Sequence, residues 1–136
     1  MIFDKQTLLS DAQAITATAR STNVIDLGPI KSPIVRDIGK GRHVPLLIQV
    51  VEDFNNLTSL TIDLQVDDSA AFGSPKTVWS ATVLLAALKK GKVVVPEHIA
   101  RGTDEQFLSL NYTVTGTAPT AGKITAGVTM GNQSNG

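Results

Sequence analysis

Apolar and polar residues alternate with a period of two along most of the chain, and this pattern restricts it to sheets. In "LTIDLQVD", Leu60, Ile62, Leu64 and Val66 fall on one face, and Thr61, Asp63, Gln65 and Asp67 on the other. "FLSLNYTVTG" aligns Leu108, Leu110, Tyr112 and Val114, and "KITAGVTMG" aligns Ile124, Ala126, Val128 and Met130. "TVWSATVLL" groups Trp79, Ala81, Val83 and Leu85, and "AITATAR" groups Ile15, Ala17 and Ala19. "PLLIQVVEDF" is nearly continuous in apolar residues from Leu46 to Val51, the mark of a strand covered on both faces. "KVVVPEH" gives a short strand ended by Pro96.

Turn-like segments punctuate these runs: "DLGPIKSP", "DIGKGRH", "FNNLTS", "AAFGSP" and "RGTDEQ", with "GTAPTAG" expected as a hairpin loop between the last two strands. "LAALKKG" suits one helical turn stopped by Gly91. About seven or eight strands at this spacing suit a sandwich or barrel, and no helix between them is long enough for parallel crossovers. The expected division is an N-terminal arm or short helical turn over 1–12, one antiparallel β-sandwich over 13–130, and a flexible tail over 131–136. A chain of 136 residues suits a single domain of this kind.

Charge narrows the function classes. Lys plus Arg is 12 and Asp plus Glu is 12, so the net charge is zero. A nucleic-acid binder would carry a basic excess, whereas a neutral surface repels its own copies weakly and favours assembly. The absence of cysteine removes disulfides, thiol catalysis and Cys-ligated zinc. No apolar run approaches the length of a membrane helix. "MIFDKQTLLSDAQ" lacks a basic region followed by a long apolar run, so a chain kept in the cytoplasm is expected.

Three carboxylates in "LTIDLQVDDSAAFGSP" are the first candidates for chemistry. Along a strand Asp63 and Asp67 stand about 13 Å apart, beyond the about 5 to 9.5 Å that separates glycosidase carboxyl pairs. Asp67 and Asp68 point to opposite sides and cannot share a proton unless the backbone turns there. The favoured expectation leaves Asp63 and Asp67 on the solvated face. Asp68 caps the turn "SAAF", and Phe72 folds back as an apolar plug.

Other constellations are weaker. His43 and His98 lie in separate loops without a ligand partner at metal-binding spacing. No serine sits in a G-x-S-x-G elbow. "GKG" at 39–41 lacks the phosphate-loop pattern and is expected to be a mobile basic loop tip. No catalytic residue, metal or cofactor is expected. Two segments remain as contact candidates: the apolar arm with Ile2, Phe3, Leu8 and Leu9, and the basic loop with Arg36, Lys40 and Arg42.

Three long stretches resemble a known family: "MIFDKQTLLSDAQAITATARSTNVIDLG", "VPLLIQVVEDFNNLTSLTIDLQVDDSAAFGSP" and "LNYTVTGTAPTAGKITAGV". They are similar to the capsid cement (decoration) proteins of tailed bacteriophages, the group typified by the cement protein of a Bordetella phage. The likeness runs from Met1 to Val128 and is least marked over 78–105. It implies a jelly-roll sandwich on the outer face of the phage head. There it would act as an oligomer, a dimer, at junctions between major capsid subunits, without direct nucleic-acid or membrane contact. The alternative expectation is a carbohydrate-binding jelly-roll module on the virion, which needs exposed aromatic rings.

Overall fold

The computed structural model describes residues 3–29, 36–94 and 98–130. Among the described residues nine strands form two antiparallel sheets: β1 (Phe3–Ala14), β2 (Ala19–Arg20), β3 (Ile25–Asp26), β4 (Leu46–Glu52), β5 (Leu57–Asp67), β6 (Lys76–Leu84), β7 (Val93–Val94), β8 (Phe107–Gly116) and β9 (Lys123–Thr129). One sheet runs β1-β9-β4-β7. The other runs β2-β8-β5-β6, with β3 also pairing β8. Because β2 and β3 both pair β8, nine segments fill eight strand positions. With β2 and β3 counted as one position, consecutive strands alternate between the sheets apart from the β5–β6 hairpin, which is the strand order of a jelly roll. The only helical element among the described residues is a 3-10 turn at Leu85–Ala87, within the segment expected to be helical. No helix among them is long and apolar enough to cross a membrane.

Alternation becomes burial wherever the strands are regular. Leu60, Ile62, Leu64 and Val66 of β5 are fully buried, and Leu108, Leu110 and Tyr112 of β8 meet them in register. From the facing sheet come Leu46, Ile48 and Val50 of β4 with Ile124 and Ala126 of β9. Burying one Leu, Ile or Val side chain contributes about 1.5–3 kcal/mol, so the interleaved faces supply most of the stability.

Several expectations need correction. Residues 3–14 form no helical turn and are not separate from the sandwich, for they are the β1 edge of one sheet, opposite β9. The sandwich therefore starts at Phe3. Three register shifts interrupt the β1–β9 ladder and Ala12 has φ 44, which breaks the two-residue pattern that would mark a strand. "AITATAR" is not one strand, because only Ala19–Arg20 pairs while the chain crosses between sheets. "GTAPTAG" is not a hairpin loop, since β8 and β9 belong to different sheets and it bridges them. Ile2 and the tail 131–136 lie outside the described residues.

The two sides of the sandwich differ. On one side β1 and the β2–β3 segment are sewn together. The Asn23 amide donates to the Leu9 carbonyl at 3.0 Å, and Gln13 accepts from Thr22 while donating to the Arg20 carbonyl. On the other side β6 and β7 are the edges of their sheets and an open apolar groove separates them.

Candidate functional site

The register gathers irregular segments at one end of the sandwich. Phe3 opens β1 opposite Thr129, where β9 ends. The Thr129 amide donates to the Pro45 carbonyl at 3.1 Å, and Pro45 bridges His98. The start of β1, the 36–45 loop and the 98–106 loop thus lie at one end of the sandwich, with the β5–β6 turn at the same end. The alternating pattern could not reveal this, because residues about 60 positions apart in "DIGKGRH" and "EHIARGTDEQ" carry no mutual signal.

Asp37 builds the junction between the two loops. Its carboxylate accepts the Gly39 amide at 2.8 Å and the Gly102 amide at 2.8 Å, while the Ile38 amide donates to the Thr103 carbonyl. Burial pushes the Asp37 carboxyl up, but the amides of Gly102 and Gly39 and the Lys40 charge outweigh it and hold the group below the usual carboxylate range. A Cβ on Gly39 would run into the Ala100 carbonyl, so only glycine permits this approach. The base of the basic loop is therefore pinned, and its tip carries exposed Lys40 and Arg42. Arg101, also exposed, joins them from the second loop. His43 and His98, expected in separate places, stack with centroids 4.0 Å apart and rings 7° from parallel.

The contact candidates are sorted by these positions. Phe3 is half-buried at the start of β1. Leu8 is half-buried and lies over Gly127. Leu9 is wholly buried in the core and has no surface to offer a partner. Arg36 donates to the Gly28 carbonyl at 2.7 Å, so its guanidinium is partly spent within the β3–β4 connection. Lys40 and Arg42 remain free of such bonds among the described residues. Arg101 and the histidine stack are the parts that the linear sequence does not disclose.

The acidic stretch is a built turn. Asp67, expected on the solvated face, is buried and performs the capping expected of Asp68. It accepts the Ser69 amide at 3.0 Å and the Ser74 amide at 2.9 Å. The backbone does turn here, and the two carboxyls interact. Burial pushes Asp67 up, but hydrogen bonds from the Asp68 carboxyl and from those amides hold it low. Its bond and its charge together push Asp68 up. Phe72, at φ 52, folds back and is buried, with the Arg20 guanidinium 4.2 Å from its ring centroid. Arg20 also donates to Gln65 and Ser109, which covers that end of the β5 outer face.

The six aromatic rings matter for glycan binding. Phe54, Phe72 and Tyr112 are buried, and Phe3, Trp79 and Phe107 are half-buried, so no fully exposed ring forms a stacking platform. Among the described residues no group of three His, Asp or Glu is placed to hold a metal ion.

No curated protein matches the chain. The sequence matches the Bbp16 family over residues 9–128, which takes in every strand from the core part of β1 to β9. The chain belongs to the Bbp16 family, which is named for a Bordetella phage protein, and is thus a phage-related jelly roll.

Proposed function

We propose that the protein is a non-enzymatic capsid cement (decoration) protein. It binds the outer surface of the phage head through the loop-bearing end of the sandwich and acts as a dimer that staples adjacent major capsid subunits. The observation that carries this reading is the convergence of Phe3, the Lys40–Arg42 tip and Arg101 at one end of a closed sandwich, in a member of a phage family. A pinned basic tip fits an acidic patch on a capsid subunit without a large ordering cost, because Asp37 already fixes its base.

Packaged DNA presses outward, and the junctions between capsid subunits are where a shell yields. A rigid sandwich bound across a junction adds contact area that must be broken before the subunits part. A dimer held at two points gains an avidity factor of about 10²–10⁴ over a single contact. Its place would be the virion surface, after synthesis in the host cytoplasm, with no direct contact to nucleic acid or membrane.

The test is co-sedimentation of the purified protein with heads that lack it, followed by an imaging map of the decorated head. Saturable binding, with density at junctions between capsid subunits and the loop-bearing end facing the shell, is expected. Failure to bind bare heads, with binding instead to a glycan array, would replace this reading with the carbohydrate-binding one.

A further inference from the structure

We infer that the edge of β6, unpaired among the described residues, is the surface through which two copies pair, joining their sheets into one across a two-fold axis near Ala81. The inference rests on the dimer stated above and names its interface.

Edge strands are normally blunted by shortness, charge, proline or bulges. The other edges of this sandwich follow that rule. β7, β2 and β3 have two residues each, and β1 carries three register shifts. β6 departs from it. It runs for nine residues, its one charge is Lys76 at the start, and its one register shift lies at the Lys76 end. From Thr77 to Leu84 it offers an uncharged row of backbone donors and acceptors. Beside that row lies the apolar groove lined by Ala81, Val83, Ala87, Val93 and Val94, and Leu84 is 62% exposed there.

The occupant follows from self-complementarity. In antiparallel pairing about a two-fold normal to the sheet, opposite residues face the same way. Centred on Ala81, the axis sets Trp79 opposite the partner's Val83 and Ser80 opposite the partner's Thr82, with no charge in the ladder. Charge fixes the direction at the flanks. The Lys76 end of β6 lies beside Asp67, Asp68 and Glu105, with Asp104 bonded to Lys76 at 2.8 Å. The Leu84 end runs through the 3-10 turn into exposed Lys90 and Lys92, beside Lys89, which is ion-paired with Asp53 at 3.9 Å, and Lys92 also lines the groove. An antiparallel partner brings its lysine end to the acidic end of the first copy, twice over. A foreign strand would meet the same edge without that double match.

The test begins with sedimentation of the free protein and uses Ala81→Cys, a single thiol in a chain without cysteine. Directly opposed residues in an antiparallel ladder have Cα atoms about 4.5–5.5 Å apart, within disulfide range. Oxidation should convert the dimer to a covalent one, while Ala70→Cys, in the β5–β6 turn, should not cross-link. In a second variant, Lys90→Glu with Lys92→Glu, two exposed side chains outside that ion pair are changed. It should raise the dimer Kd about tenfold, and adding Asp68→Lys with Glu105→Lys should restore it. A dimer that ignores the charge reversal and yields no Ala81→Cys cross-link overturns the β6 interface and leaves the dimer standing. A monomer at all concentrations overturns both the interface and the dimer. Neither result decides whether the protein binds heads, which co-sedimentation measures separately.

Discussion

The Ser10 hydroxyl and the Tyr112 phenol lie 2.8 Å apart, fully buried, and join the β1 sheet to the β8 sheet in the middle of the core. Ser10 also donates to Gln13 at 2.7 Å, and Gln13 reaches the β2 side of the seam. A polar chain thus runs through the closed side of the sandwich with every member partnered.

Tyr112→Phe removes the cross-sheet bond and leaves Ser10 bonded to Gln13. The expected cost is about 1 kcal/mol, from denaturant melts. The wild type adds a pH signature. Burial pushes the phenol well above its usual range, and the Ser10 bond offsets only part of this. The unfolded tyrosine ionises near pH 10 while the folded one keeps its proton. Stability should be level up to about pH 10 and then fall by at most about 1.4 kcal/mol per pH unit. Because the chain has a single tyrosine, tyrosinate absorbance should appear together with unfolding, and Tyr112→Phe should flatten the decline. Tyrosinate forming near pH 10 in a still-folded protein would contradict the buried bond.

Asp67 and Asp68 should respond oppositely. Asp67 is held low, so its contribution is complete above the unfolded carboxylate range and fades as pH falls below about 4. Asp67→Asn should lower the melting temperature at pH 7, with the gap to wild type closing by pH 3. Asp68 is pushed up by its neighbour, so Asp68→Asn should leave the pH 7 melting temperature unchanged or raise it. A greater loss from Asp68→Asn would reverse the assignment of the cap.

Gly122 tests the far end of the sandwich. It has φ 132, and a Cβ there would overlap the Phe54 ring. Its carbonyl also accepts the Ile15 amide at 3.1 Å. Gly122→Ala should destabilise by about 1–3 kcal/mol, the usual cost of overpacking, in thermal melts. Head binding at temperatures where the variant remains folded should be unchanged.

Arg42→Glu with Arg101→Glu should weaken binding to bare heads about tenfold and leave the melting temperature within error, since both are exposed and neither supports the Asp37 anchor. Gly39→Ala should weaken binding as well, because it drives the loop base off Ala100. Full-strength binding by both variants would move the footprint away from this end.

The core was readable where strands are regular. The alternation in β5 and β8 and the apolar run of β4 name their buried residues directly, because one face of each is sealed by the other sheet. β1 was hidden by its bulges, which bury the adjacent Leu9 and Ser10 together. The Asp67 cap differed from expectation by one residue, since strand periodicity does not say where the backbone leaves the strand. The basic loop was visible as composition, but its partner loop and its Asp37 anchor depend on contacts far apart in sequence. The β6 edge was readable as a strand, whereas its being an edge follows from sheet order alone.

The cement role is tested most directly by the temperature at which packaged heads release DNA. Heads assembled without the protein should release it at a lower temperature than decorated heads, and adding the purified protein back should restore the higher value. Equal release temperatures with and without the protein, at full occupancy of its sites, would contradict the account.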